Sequence, residues 1–105
     1  MRTKNSRVNI SNLCAEIASR LPRLDEFTKK LCHTQLVITS GNDGEHQADS
    51  MHYRDRAIDI RSWYVLPWKR NEYMNGLCEI FPYDKFDVID ESDHYHIEYD
   101  PHGRN

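Results

Sequence analysis

No run of this 105-residue chain approaches the eighteen or so uninterrupted apolar residues that a membrane-spanning helix needs, so no such helix is expected. Paired cysteines are missing too. Cys14, Cys32 and Cys78 are odd in number and show no C-x-x-C spacing, which argues against a disulfide framework or a thiolate metal site. Cys14 and Cys78 fall in stretches with helical spacing, and a buried small hydrophobe is the expected state of a free cysteine. Charge of one sign is nowhere concentrated. The 14 Lys and Arg stand against 17 Asp and Glu, net charge -3, and the basic residues are scattered, so no nucleic-acid footprint is present. The basic opening from Met1 to Val8 is followed by neither an apolar segment nor a small-residue cleavage site. Synthesis in a cytoplasm is the expectation, with delivery by some other route if the protein acts elsewhere. There is no internal repeat, linker or low-complexity tract, and 38% hydrophobic residues suffice for a modest core. One domain over residues 1–105, working as a monomer, is expected.

Residues 1–8 read as a frayed, polar lead-in. Asn9 or Ser11 is placed to cap a helix carrying Ile10, Leu13, Cys14, Ile17 and Leu21 on one face. Pro22 breaks or restarts it, and Leu24, Phe27 and Leu31 continue an apolar face. Leu36 to Thr39 is an apolar, partly β-branched run bounded by Ser40 to Gly44, which predicts a buried strand ending in a turn. From Gly41 to Arg56 the chain is polar, a long loop of the kind that in a compact domain is usually functional or disordered. Ala57 to Ile60 alternates, with Ala57 and Asp59 on one face and Ile58 and Ile60 on the other. Pro67 suits the first turn of a helix, and Trp68 to Phe81 offers Tyr73, Leu77, Ile80 and Phe81 as its packing face. Phe86 to Asp90 and His94 to Tyr99 are two further strands around a short turn at Ser92 and Asp93. The order predicts an α+β domain, its sheet mostly antiparallel, with helices packed on one face.

The chemistry concentrates in two pieces. The first is Ser50 to Asp59, in which six residues separate His52 from Asp59, a spacing suited to a loop feeding a strand. The second is Asp93-His94-Tyr95-His96, whose histidines point to one side because strand side chains repeat every two residues. A carboxylate turned inward on a strand is costly unless a metal or cation pairs it. His52, Asp59 and His96 make a ligand set that leaves a fourth position for water, the mark of a catalytic zinc site. Ser50 is placed to orient a ligand by hydrogen bonding. Asp93, three residues before His96, is a candidate base for metal-bound water. Glu91 stands in the same relation to His94, so the register is open on spacing alone. His94 and His46 are candidate oxyanion or substrate contacts. Arg54, Arg56 and Arg61 flank the site, where one of them could clasp a substrate carboxylate. Trp63 and Trp68 could form a binding wall, though at helical and loop spacing core packing is the expectation for either.

These residues resemble the zinc D-Ala-D-Ala carboxypeptidase and L-alanyl-D-glutamate endopeptidase family, which shares its fold with the Hedgehog signalling domain. Ser50, His52, Ala57 and Asp59 match its Ser-x-His-x6-Asp motif with Ala two before the Asp, and Asp93 and His96 match its acid three residues before a zinc His. Thr39-Ser40-Gly41 looks like the strand end that leads into the family's active-site loop. Members with a His-x-His strand use the second His on the metal, which implies His96 as ligand over His94 and Asp93 over Glu91 as base. Two positions depart from the pattern. Asp55 stands where the family often has Gly, and Asn42-Asp43 where many members carry an Arg; oxyanion stabilisation then falls to His94, His46 or a nearby Arg. The resemblance covers about residues 37–99. It implies a Zn2+-dependent hydrolase of bacterial peptidoglycan peptides, such as a phage lysis or entry enzyme. A zinc-stapled binding or virion module is the alternative. An HNH-type nuclease reading of Asp93-His94 with Pro101, Gly103 and Asn105 is disfavoured by the acidic charge balance.

Overall fold

A computed structural model of the chain describes residues 1–41 and 55–101. Its elements follow one another as β1 (Arg2–Thr3), α1 (Ala15–Ala18), α2 (Leu21–Cys32), β2 (Val37–Ser40), β3 (Ala57–Arg61), a 3-10 turn at Pro67–Lys69, α3 (Arg70–Ile80), β4 (Phe86–Asp90) and β5 (His94–Tyr99). The strands form one sheet in the order β1-β2-β3-β5-β4, antiparallel throughout except where β1 runs parallel to β2. This is the α+β architecture expected. No helix among the described residues is long and apolar enough to cross a membrane.

One face of the sheet makes the core. Ile38, Ile58, Ile60, Tyr95 and Ile97 pack against Ile17, Leu21, Leu24 and Leu31 of the first two helices and Tyr73, Leu77 and Ile80 of α3. The packing face read for the last helix is thus the observed one, with Phe81 also buried. The hydroxyls of Thr28 and Tyr73 bond to each other at 2.9 Å where α2 meets α3. Burial and neighbouring charge push the Tyr73 hydroxyl far above its ordinary range, so it stays protonated.

Four expectations fail. The lead-in is not free: Arg2 and Thr3 form β1, with Arg2 N–H on Leu36 O and Lys4 N–H on Ile38 O. The first helix does not start at Asn9 or Ser11. The Asn9 side chain instead accepts from Ser11 N–H at 3.2 Å, a local turn that competes with helix, and α1 begins after Cys14. Pro22, at the start of α2, restarts the helix there. Cys78 is exposed, and Cys14 and Cys32 are half-buried. Trp63 and Trp68 are also exposed, because both lie on the connection between β3 and α3, which runs over the surface.

Gly76 sits mid-helix in α3, where alanine would ordinarily gain about 1 kcal/mol of helix propensity. Here a β-carbon would fall on the ring of Phe27, well inside van der Waals contact. That ring is stacked on Tyr73 with centroids 5.3 Å apart, so it cannot turn aside freely. Overpacking of about 1–3 kcal/mol outweighs the propensity gain. Gly76→Ala is expected to lower the thermal midpoint by several degrees, measured by circular dichroism; an unchanged or raised midpoint would show that the Phe27 ring yields.

Candidate active site

The face of the sheet opposite the core carries the chemistry. The alternation of β3 and β5 sends Asp59 and Arg61 there with His94, His96 and Glu98, while their neighbours enter the core. Across the β3–β5 ladder Asp59 stands directly opposite His96, Arg61 opposite His94 and Ala57 opposite Glu98. Registry alone therefore brings the expected carboxylate to one expected imidazole. Asp59 Oδ1 lies 2.9 Å from His96 Nδ1 and 3.8 Å from His94 Nε2. The Asp59 and His96 side chains are each only 15% exposed. Glu98, two residues along the strand, bonds the other His96 nitrogen at 2.8 Å. Burial pulls the His96 imidazolium down, but hydrogen bonds to Asp59 and Glu98 and their charges outweigh it, leaving its pKa raised.

Asp93 projects from the tip of the β4–β5 hairpin, 86% exposed, and holds His94 Nδ1 at 2.6 Å. With Nδ1–H donated to Asp93, His94 presents Nε2 toward Asp59. The hairpin is itself anchored. Ser92 has φ 76, in the left-handed region. Its carbonyl accepts from Ser62 Oγ at 3.0 Å and from Arg70 at 3.3 Å. Arg70 also pairs with Asp90 at 2.6 Å and lies over the Tyr95 ring at 5.0 Å. Burial raises the Asp90 carboxyl, but the Ser92 N–H and Arg70 outweigh it, and the pKa is lowered.

A cleft of about 450 Å³ opens beside these groups, lined by Asp59, Asp93 and His94 together with Thr39, Ser40, Arg61, Trp63 and Lys4. Thr39 and Ser40 are consecutive, yet both line it. The register steps from Ile38 opposite Ile60 to Ser40 opposite Asp59, one extra residue on β2, and such a bulge turns a further side chain to the site face.

Of the residues singled out in the sequence, the structure brings together Asp59, Asp93, His94 and His96, with Arg61 and Trp63 also lining the cleft. Glu91 is exposed at the turn, where its N–H bonds His94 O, and it does not line the cleft. Arg56 is exposed as well, over the Tyr99 ring at 5.8 Å. Ser50, His52, His46 and Arg54 lie outside the described residues. Asp55, just inside them, has φ 57, a conformation that glycine takes most easily and aspartate tolerates. Glu98 and Lys4 were not singled out. Glu98 carried a signal, its two-residue spacing from His96; Lys4 carried none, since its place depends on the pairing of β1.

Asp59 and His96 offer two donors of the kind a metal site uses, and among the described residues they are not joined by a third. An imidazole nitrogen and a carboxylate oxygen converge from facing strands, and Glu98 holds the imidazole from behind, as a carboxylate commonly does for a metal-bound His. A second group is all oxygen. Asp87, Glu98 and Asp100 place carboxylate oxygens within 4.8 Å of one another and could hold a metal ion. No protein-family model matches this chain, and no curated protein matches it.

Proposed function

We propose that the chain is a zinc peptidase of the D-Ala-D-Ala carboxypeptidase and L-alanyl-D-glutamate endopeptidase type, hydrolysing a peptide bond of bacterial peptidoglycan. The observation that carries this reading is the pairing of Asp59 Oδ1 with His96 Nδ1 at 2.9 Å across two strands, with Asp93 and His94 beside them in an open cleft. The backbone at Asp55 gives further support, since φ 57 suits a position where the family often has Gly. Asp59 and His96 would hold the zinc, with His52, which lies outside the described residues. Bound there, zinc would lower the pKa of a water and polarise a carbonyl.

The chain's own groups account for the rest. Glu98 fixes the His96 ring through Nε2, so that Nδ1 faces Asp59. Asp93, free in solvent on its outer side, takes the proton of the attacking water and returns it to the leaving amine. His94, oriented by Asp93, would stabilise the developing oxyanion in the form that carries a proton on Nε2 as well as on Nδ1. Chain placement in the cytoplasm, followed by delivery in a lysis or entry step, belongs to the same reading.

The test is metal content together with peptidoglycan digestion. About one zinc per chain is expected, lost in His52→Ala and kept in Asp93→Ala. Wild type should release new amines from peptidoglycan, and Asp93→Ala should release them roughly 10²–10⁴-fold more slowly. Wild type and Asp93→Ala behaving identically would end the peptidase reading. Metal retained with no amine release would favour the zinc-stapled module.

A further inference from the structure

Asp93 stands exposed at the tip of the β4–β5 hairpin, so burial does not hold it in place. β4 is an edge strand, and the end of such a ribbon frays unless something ties it down. The turn's own bonds, Glu91 N–H to His94 O at 2.9 Å and Asp93 N–H to Glu91 O at 3.0 Å, close the tip without tying it to the core. Four polar contacts at Asp90 and Ser92, just before Asp93, do tie it. Ser62 Oγ and Arg70 Nη2 both donate to Ser92 O, at 3.0 and 3.3 Å. The same Arg70 nitrogen pairs with Asp90 Oδ1 at 2.6 Å, and that oxygen accepts from Ser92 N–H at 2.9 Å. Both donors belong to the packed part of the fold. Ser62 follows β3 and is buried, and Arg70 opens α3, whose Tyr73, Leu77 and Ile80 lie in the core. The Arg70 guanidinium also covers the ring of Tyr95, itself fully buried beside Tyr73.

Stability alone does not account for this concentration of contacts. Arg70 and Asp90 are 27% and 38% exposed, and ion pairs in that setting contribute little. What the contacts hold is a strained backbone. Ser92 sits at φ 76, which a residue with a β-carbon keeps only where its surroundings over-determine it. Strain of this kind collects where a neighbouring group must be aimed, and the neighbour here is Asp93. From Asp93 the aim passes to His94, whose Nδ1 lies 2.6 Å from the carboxylate. Both residues line the cleft.

We propose that Arg70 and Ser62 are positioning residues: by fixing the Ser92 carbonyl they aim the Asp93 carboxylate, and through it the His94 ring, at the cleft. Their effect on turnover rests on the peptidase reading, whereas the orientation of the Asp93–His94 pair can be measured without any hydrolysis.

The test compares the full, zinc-supplied chain with its Arg70→Ala, Arg70→Lys and Ser62→Ala variants. Nitrogen-15 NMR at alkaline pH reads the imidazole tautomers, with the His94 signals assigned by their loss in His94→Gln. A free neutral imidazole prefers its proton on Nε2, so an Nδ1–H form at His94 reports the contact with Asp93. Wild type should show that form, and Arg70→Ala should shift most of it to Nε2–H. Arg70→Lys, which keeps the charge without the fork, should retain part of it, and Ser62→Ala should shift it by less than Arg70→Ala does. Amine release from peptidoglycan by Arg70→Ala should fall about 10–100-fold in kcat, the cost of misplacing a reacting group by about an ångström. KM should stay within about twofold of wild type, and zinc content should not change. An undiminished Nδ1–H form in Arg70→Ala overturns the proposal, as does its absence from wild type. A fall in kcat matched by a loss of zinc also overturns it, since Arg70 would then support the fold at large. Should Arg70→Ala fail to fold by circular dichroism, Arg70→Lys and Ser62→Ala decide, and no tautomer shift in either overturns the proposal. A tautomer shift with no hydrolysis by wild type leaves the orienting role standing and removes the peptidase. Hydrolysis whose kcat is indifferent to Arg70→Ala does the reverse.

Discussion

Asp59→Asn protein is expected to lose at least about 100-fold in zinc affinity relative to wild type and to release no measurable amines from peptidoglycan. The substitution keeps the size and one hydrogen-bond-accepting oxygen of the side chain, so the contact to His96 Nδ1 can persist and the sheet should fold. What disappears is the anionic donor in a site where Asp59 is only 15% exposed. Removing a group that merely orients a ligand costs roughly 10–100-fold in metal affinity, and removing a ligand should cost more. Glu98→Gln supplies the comparison. Glu98 touches His96 only through Nε2, so its loss should cost about tenfold in affinity. Equilibrium zinc titration against a chelating dye ranks the three proteins. If Asp59→Asn binds zinc as wild type does while Glu98→Gln does not, the ion sits instead on the carboxylates of Asp87, Glu98 and Asp100, and the peptidase reading loses its centre.

Asp25→Ala is expected to destabilise the fold by about 2 kcal/mol at neutral pH, a fall of roughly 10 °C in thermal midpoint. Asp25 lies in α2 with its side chain only 13% exposed. Its Oδ1 accepts from Leu36 N–H at 2.9 Å, just before β2, and its Oδ2 pairs with Lys29 at 3.1 Å and the Met1 ammonium at 3.2 Å. Alanine would leave the Leu36 N–H without a partner beside a fully buried side chain, and that desolvation loss outweighs the ion pairs, which are worth a few tenths each. Burial raises the Asp25 carboxyl, but the Leu36 N–H, Lys29 and the amino terminus outweigh it, and its pKa is lowered from 3.8. The sign follows. The unfolded chain binds the proton more readily, so the stabilisation is complete above the unfolded value and is lost as pH falls through the lower folded one. Denaturant unfolding at pH 7 and at about pH 3 should show the gap between wild type and Asp25→Asn narrowing with acid. A gap that stays constant would mean Asp25 acts through packing alone.

The part of this molecule that could be read from its residues is the part governed by short-range alternation. Asp59, His94 and His96 fall on a strand face because Ala57 to Ile60 and His94 to Tyr99 alternate, and the β3–β5 ladder then sets Asp59 against His96. Glu98 obeys the same alternation, but a lone glutamate two residues after a histidine carries no mark beyond that spacing until the strand places it on His96 Nε2. Other features depend on partners far away in the chain. β1 is two residues long, and only its pairing with β2 makes it a strand. The extra β2 residue that turns Thr39 and Ser40 together into the cleft leaves no mark in composition. Spacing favours the core for Trp63 and Trp68 over a binding wall, but it does not say which side of the surface a connecting segment faces, and Trp63 lines the cleft. For Ser50, His52, His46 and Arg54 the spacing argument is all there is, since they fall outside the described residues.

The two faces of β5 are interleaved one residue at a time, His94, His96 and Glu98 alternating with Tyr95, Ile97 and Tyr99. A single-residue deletion within this strand would exchange them, sending imidazoles into the apolar interior and tyrosine and isoleucine into the cleft. Descendants of this gene can therefore change β5 by substitution but not by odd steps in length. Gain and loss of codons should concentrate in the connections between strands, and a search for distant relatives should penalise gaps between Asp93 and Tyr99 far more heavily than gaps elsewhere.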